Sequence, residues 1–291
     1  MKHILVSELI ELKPNHRVTR YPTAHPHTRI HLPNIEKLST KPILFTQAPS
    51  VDTMVSRLFS SIEEASWPTT VNSTRDQIKN TISESFAPYL RGRISAAKGS
   101  TAGVTSTSSI LNSWSLATSV MIIVLPVDAL FPLIDMWRLS FLDPATCSWA
   151  SSASASTCGG LIQPIASRAL EVLGTWENSK GARNYVITVL RLMCNTFSSV
   201  ELTRRILTDE ILRGILTGVV MESLLCEDGS VRMAASSMAF NMAAWLHSHS
   251  GAKGMEAERD EEWEMELISA VVEALGHEKS NEQVGERPTL A

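Results

Sequence analysis

The chain has 291 residues, of which 44% are hydrophobic and 19% charged, so it can bury one large core or two smaller ones. Its formal net charge is −4, and no segment is basic enough to indicate a nucleic-acid-binding domain. The longest apolar stretch, residues 116–127, has about a dozen residues where a bilayer needs roughly 20. We therefore predict no membrane span.

Residues 1–40 differ in composition from the rest of the chain. Five of the eight histidines and four prolines fall in this segment, which shows little apolar periodicity. We predict a poorly ordered leader or linker here. His25 and His27 flank Pro26, but we expect no metal site, because a proline-punctuated segment does not hold ligands in a fixed geometry.

From Pro49 onward the apolar residues recur at helical spacing. Val51, Met54, Leu58 and Ile62 predict an amphipathic helix. Further helical patterns run through residues 78–89, 161–172, 186–197, 209–219, 230–245 and 263–275. No alternating strand pattern is present, so we predict an all-α fold. The Ser/Thr/Gly-rich stretches 91–113 and 148–160 are predicted to be loops.

Two asparagines suggest a weak internal repeat. Asn195 and Asn241 each follow an apolar stretch and lie 46 residues apart, close to the period of armadillo and HEAT repeats. Asparagine is a poor helix former, so its place on an apolar helix needs a reason. An inward-facing asparagine can bind the backbone of an extended peptide, or it can tie down a neighbouring helix end or loop. The sequence leaves both interpretations open.

The residues favour a non-catalytic protein that needs no cofactor and no metal. The cysteines Cys147, Cys158, Cys194 and Cys226 form no CxxC pair and are typical of thiols in a reducing compartment. Cys194 lies in an apolar helix, and Cys226 adjoins acidic residues that disfavour its thiolate. No GxSxG, HExxH or Gly-rich phosphate-binding motif occurs.

Four segments, taken in order, resemble the PUL domain family. Residues 130–139, LFPLIDMWRL, are similar to its FPxxDxxRL helix, and residues 186–197, VITVLRLMCNTF, to its Leu-Arg-x-x-x-Asn-x-Phe stretch. The helix ending in Phe240-Asn241 fits the closing pattern of the family. Residues 41–47, KPILFTQ, resemble the junction in fungal proteins where a PUL domain follows a thioredoxin domain. The family includes phospholipase-activating protein, a ubiquitin-fusion-degradation adaptor and deSUMOylating-isopeptidase-type proteins.

The resemblance implies an armadillo-like helical-repeat solenoid over residues 41–277, followed by a tail at 278–291. It also implies a concave groove that binds the C-terminal tail of a hexameric AAA+ segregase, valosin-containing protein. Arg138 and Arg191 would pair with carboxylates of that acidic tail, while Asn195 and Asn241 would hold its backbone. Asp135 would orient an arginine or close a polar network. The protein would then be a monomeric adaptor in ubiquitin-dependent turnover, in the cytoplasm, the nucleus or both.

Two alternatives to the segregase adaptor remain. The chain could be a generic helical-repeat scaffold with another partner, or a truncated thioredoxin–PUL fragment with none. A redox role through Cys194 or Cys226 is a third alternative. The adaptor hypothesis requires Arg138, Arg191, Asn195 and Asn241 to lie along one groove.

Overall fold

The computed structural model describes residues 40–47, 49–67, 72–96, 107–152, 155–176, 179–249 and 261–285. All of these belong to one compact unit, residues 39–291. Within these ranges the regular elements are helices and no strand occurs, so the predicted all-α class is confirmed. The predicted leader, residues 1–40, lies outside the described residues apart from Thr40.

The helices follow one another with short connections. They are α1 (Val51–Glu64), α2 (Asn72–Asn80), a π-helical turn (Thr81–Phe86), α3 (Ala87–Ala96), α4 (Thr107–Val124), a 3₁₀ turn (Val127–Ala129), α5 (Phe131–Ser140), α6 (Pro144–Ser151), α7 (Ala155–Gly174), α8 (Lys180–Thr196), α9 (Val200–Thr208), α10 (Glu210–Leu224), α11 (Gly229–His249) and α12 (Glu261–Gly285). The last helix continues beyond residue 277, where the predicted domain ends.

The packing brings three helices side by side beneath the candidate site. Helix α8 packs against both α5 and α11, and α1 packs against α5. Helices α7 and α10 pack against each other and back the α8–α11 pair. Because α8 is buried along most of its length, its polar side chains must find partners inside the protein.

Aromatic residues form the core around α5. The Phe86 ring stacks on the Trp114 ring with centroids 4.3 Å apart, and the Trp137 and Trp149 rings stack at 5.9 Å. Inside this cluster the Trp137 indole N–H donates to the Thr118 hydroxyl at 2.8 Å, so the polar atom of the buried ring is satisfied. This core fixes α5 and therefore the side chains that α5 presents to the groove.

The helical patterns read from the sequence correspond to helices, but both loop predictions were partly wrong. Helix α3 extends to Ala96 and α4 begins at Thr107, so 91–96 and 107–113 are helical. Likewise, α6 and α7 include residues 148–151 and 155–160. Serine and threonine weaken a helix only slightly, and buried anchors such as Trp114 and Trp149 outweigh that cost.

Aspartates cap two of the helices. The Asp228 carboxylate accepts from the N–H groups of Ser230 and Val231 at the start of α11. Asp209 accepts from the Leu212 N–H at 3.0 Å at the start of α10. In the described part of the chain, no helix combines the length and apolar character needed to cross a membrane.

Candidate functional site

An extended segment of the protein itself crosses the surface formed by α5, α8 and α11. We call residues 41–47 the strap; they form no helix and precede α1 directly in the chain. Most strap side chains are exposed or half-buried, and Ile43 retains 40% of its accessible surface. The strap is therefore not held by deep burial of apolar side chains, and its position depends on its backbone.

Two buried asparagines bind alternate residues of the strap. The Ile43 N–H donates to Asn241 Oδ1 at 2.7 Å, and Asn241 Nδ2 donates to the Ile43 carbonyl at 2.9 Å. Asn195 binds Phe45 in the same way, at 2.7 Å to its N–H and 3.1 Å to its carbonyl. Each primary amide thus satisfies both backbone groups of one residue, an interaction that does not depend on the identity of that residue.

Arg138 holds the next part of the strap. Its guanidinium donates to the Phe45 carbonyl and, at 2.8 Å, to the Gln47 carbonyl. Arg138 is only 4% exposed, and its Nε lies 2.5 Å from the Asp135 carboxylate. That carboxylate balances the buried charge and fixes the guanidinium in the orientation that reaches the strap.

The asparagines also connect neighbouring helices. Asn195 Nδ2 donates to the Arg138 carbonyl at 2.8 Å, which links α8 to the end of α5. Asn241 Nδ2 lies 3.5 Å from the Cys194 carbonyl, which joins α11 to α8. The structure agrees with the second interpretation, because each asparagine ties down a loop of its own chain, the strap, and a neighbouring helix.

Arg191 lies one turn before Asn195 and is exposed. Its guanidinium carbon is 5.2 Å from the centroid of the Phe45 ring, a cation–π geometry. Beside this pair an open cavity of about 860 Å³ extends along α8 and α11. Its lining includes Ile43, Phe45, Arg191 and Met233, of which Met233 is 73% exposed. The strap thus forms one wall of the remaining groove, and Arg191 stands at its edge.

The first turn of α11 forms the end of this cavity. Asp228 pairs with Arg183 at 3.0 Å in addition to capping the helix, so its negative charge is balanced. Arg232 donates to the carbonyls of Cys226 and Glu227, both at 2.9 Å. These contacts connect the cavity wall to the loop before α11 and to α8.

The three cysteines whose side chains are described, Cys147, Cys194 and Cys226, all have raised pKa values. Burial raises the pKa of Cys194 to about 12, and burial also raises the pKa of Cys147 and of Cys226. A raised pKa lowers the thiolate fraction that nucleophilic chemistry requires. Among the described residues no cluster of three or more His, Cys, Asp or Glu side chains has the arrangement of a metal site.

The structure brings together all five residues singled out from the sequence. Asn195, Asn241 and Arg138 contact the strap directly, Asp135 orients Arg138, and Arg191 covers Phe45. The sequence did not predict that the backbone of the strap is bonded to Asn195, Asn241 and Arg138. In the sequence the strap is visible only as the non-helical stretch KPILFTQ before the first helix. This stretch has no periodicity from which its contacts could be predicted.

The fold and the site define a class of protein: an all-α domain whose helices bind an extended segment through buried polar side chains. The family model of the PUL domain matches residues 39–286. This range includes the strap and helices α1–α12. The chain belongs to the PUL domain family, a family of protein-interaction domains, and the resemblance noted in the sequence is confirmed. No curated protein matches the chain.

Proposed function

We propose that this PUL domain is a non-catalytic adaptor that binds the C-terminal tail of the AAA+ segregase valosin-containing protein. The observation that carries the proposal is the exposed guanidinium of Arg191, placed over Phe45 at the edge of an open cavity. An acidic tail that ends in a carboxylate offers the groups that a guanidinium binds best. Membership of a protein-interaction family supports the same conclusion.

The five site residues divide their roles in this proposal. Arg191 pairs with a carboxylate of the tail. Arg138, Asn195 and Asn241 act through the strap, since they are already bonded to it, and Asp135 positions Arg138. Direct contact between the tail and the asparagines would require the strap to leave.

The proposed adaptor architecture is an armadillo-like repeat. It is supported by the sequential packing of α5, α8 and α11 and by one strap-binding side chain on each helix. In this proposal the protein acts as a monomer in ubiquitin-dependent turnover. It works with the segregase in the cytoplasm, the nucleus or both.

Calorimetry with the full chain tests this function. A synthetic peptide of the segregase's last ten or so residues is titrated at about 0.05 and 0.15 M salt, beside its C-terminal amide and a scrambled peptide. We expect micromolar binding that weakens with salt and with amidation. No heat from a folded, helical protein would contradict the segregase adaptor and favour a scaffold for another partner.

A further inference from the structure

The strap has one bonded edge and one free edge. In an extended chain the N–H and C=O of one residue point to the same side, and those of the next residue point to the opposite side. Ile43 and Phe45 direct these groups at the asparagines, so Leu44 and Thr46 direct theirs away from the helices. In the described ranges the backbone of Leu44 and of Thr46 makes no hydrogen bond.

The bonded residues of the strap alternate, at Ile43, Phe45 and Gln47, which is the pattern of an extended chain. The bonds from Arg138, Asn195 and Asn241 fix the strap, so the edge needs no ordering before it pairs. An exposed strand edge is a template for another extended chain, because its unpaired groups repeat at the spacing of a second strand.

We infer that an extended peptide adds to the strap as a second strand, hydrogen-bonded to Leu44 and Thr46. The inference rests on the proposed function, and the occupant is the C-terminal tail of the segregase. Backbone pairing would supply the main part of the affinity. The tail's alternate side chains on the Phe45 face would lie over the cavity, where Arg191 selects a carboxylate.

Charge argues for an acidic tail over a second copy of the strap. The strap sequence KPILFTQ carries a lysine and no acidic residue, and Arg191 lies beside it. A strap-to-strap dimer would bring two Arg191 guanidinium groups toward each other, whereas an acidic strand would place carboxylates beside Arg191. A dimer measured by sedimentation in place of peptide binding would therefore overturn the inference.

A proline at position 46 tests the free edge selectively. Thr46→Pro removes the Thr46 N–H but keeps the N–H and C=O groups of Ile43 and Phe45 that hold the strap. The residue before a proline prefers an extended conformation, which Phe45 requires in any case. Thr46→Val is the matched control, since it keeps the N–H and a similar side-chain volume.

We expect Thr46→Pro to weaken binding of the ten-residue tail peptide at least tenfold and Thr46→Val to change it less than twofold. Wild-type affinity in a folded Thr46→Pro protein would overturn strand addition while leaving the groove function standing. Absence of binding by the wild-type chain would instead remove the proposed function, and strand addition to the tail with it.

A second measurement on the unmodified chain covers the case in which Thr46→Pro fails to fold. Single backbone N-methyl groups are introduced along the tail peptide, one position at a time. Strand pairing predicts affinity losses at every second position and slowed hydrogen exchange of the Leu44 and Thr46 amides on binding. A flat methylation profile with unchanged exchange would contradict the inference.

Discussion

Asn195 and Asn241 lie 46 residues apart, yet they bind strap residues only two positions apart, Phe45 and Ile43. The strap therefore crosses the helices in the reverse of their order along the chain: Ile43, its earlier residue, binds the later helix α11, and Phe45 binds α8. Arg138, on the still earlier helix α5, continues this reversed order by binding Gln47, which follows Phe45 in the strap. Successive helices thus hold alternate residues of the strap.

Asn195 should stabilise the domain more than Asn241. Asn195→Ala leaves a Phe45 N–H and the Arg138 carbonyl without their partner in a buried site, so we expect it to lower the free energy of unfolding by about 2–3 kcal/mol. Asn241→Ala should cost less, about 1–2 kcal/mol, because the partly exposed Ile43 can bind water instead. Urea denaturation with an unchanged m-value would measure both.

Asn184→Ala on the same helix provides the control. Its side chain is half-buried and lies outside the strap contacts, so the change in stability should stay within about 0.5 kcal/mol. Equal costs for Asn184 and Asn195 would show that the strap contacts contribute nothing special to folding.

Arg191 should contribute to binding and not to folding. We expect Arg191→Ala to weaken binding of the segregase tail peptide by about 1–3 kcal/mol, the range for charge-assisted hydrogen bonds. Its loss of the exposed Phe45 contact should change the free energy of unfolding by about 1 kcal/mol or less. Calorimetry and urea denaturation separate the two effects.

Arg204→Ala serves as the matched variant, because Arg204 is an exposed arginine on α9 outside the groove. It removes the same charge, so any loss of affinity that it shares with Arg191→Ala reflects net charge alone. Unaltered affinity in Arg191→Ala would take Arg191 out of the binding site.

Two glycines should respond to alanine with opposite signs. A Cβ on Gly181 would lie 2.0 Å from Asp128 Cβ and 2.7 Å from its Cα, so the start of α8 would have to move off the 3₁₀ turn. We expect Gly181→Ala to destabilise the protein by about 1–3 kcal/mol. A Cβ on Gly214, in the middle of α10, meets nothing within 4 Å.

Gly214→Ala should therefore stabilise by about 0.5–1 kcal/mol through helix propensity alone. Thermal unfolding followed by circular dichroism would register both shifts. If both variants shifted the melting temperature in the same direction, the close approach of Asp128 would not determine the effect of an alanine at position 181.

Alkaline pH should destabilise the domain through its buried thiol. The pKa of Cys194 is raised to about 12 in the folded protein, whereas its ordinary value is 9.0. Between these values the unfolded chain loses the proton first, so this contribution to stability is present below pH 9 and decreases as the pH rises toward 12. Burial raises the pKa of Tyr185 as well, which adds to the decrease at high pH.

The urea midpoint measured from pH 7 to 11 would show this decrease, and Cys194→Ala should make it shallower. In the same pH range, iodoacetamide should modify native Cys194 more slowly than the half-buried Cys226. Rapid alkylation of native Cys194 would support the redox hypothesis.

The sequence predicted the helices most reliably where an apolar face repeats over several turns. The spacing of Val51, Met54, Leu58 and Ile62 predicted α1, and all four side chains are buried. The loop prediction failed at residues 107–113 and 148–151, which are helical. The Ser-rich composition reflects only local propensity. The helices at these positions are anchored by the buried side chains of Trp114 and Trp149, whose contacts are distant in sequence.

The sequence by itself determined the all-α class and the family, and it singled out five polar residues that the structure brings together, because motifs and helical periodicity are local properties of the chain. Only the tertiary structure decided what those residues bind. Asn195 meets Phe45 across 150 positions and Asn241 meets Ile43 across 198. Contacts over such separations follow from how helices pack, and a backbone partner leaves no requirement on side-chain identity that a sequence could reveal.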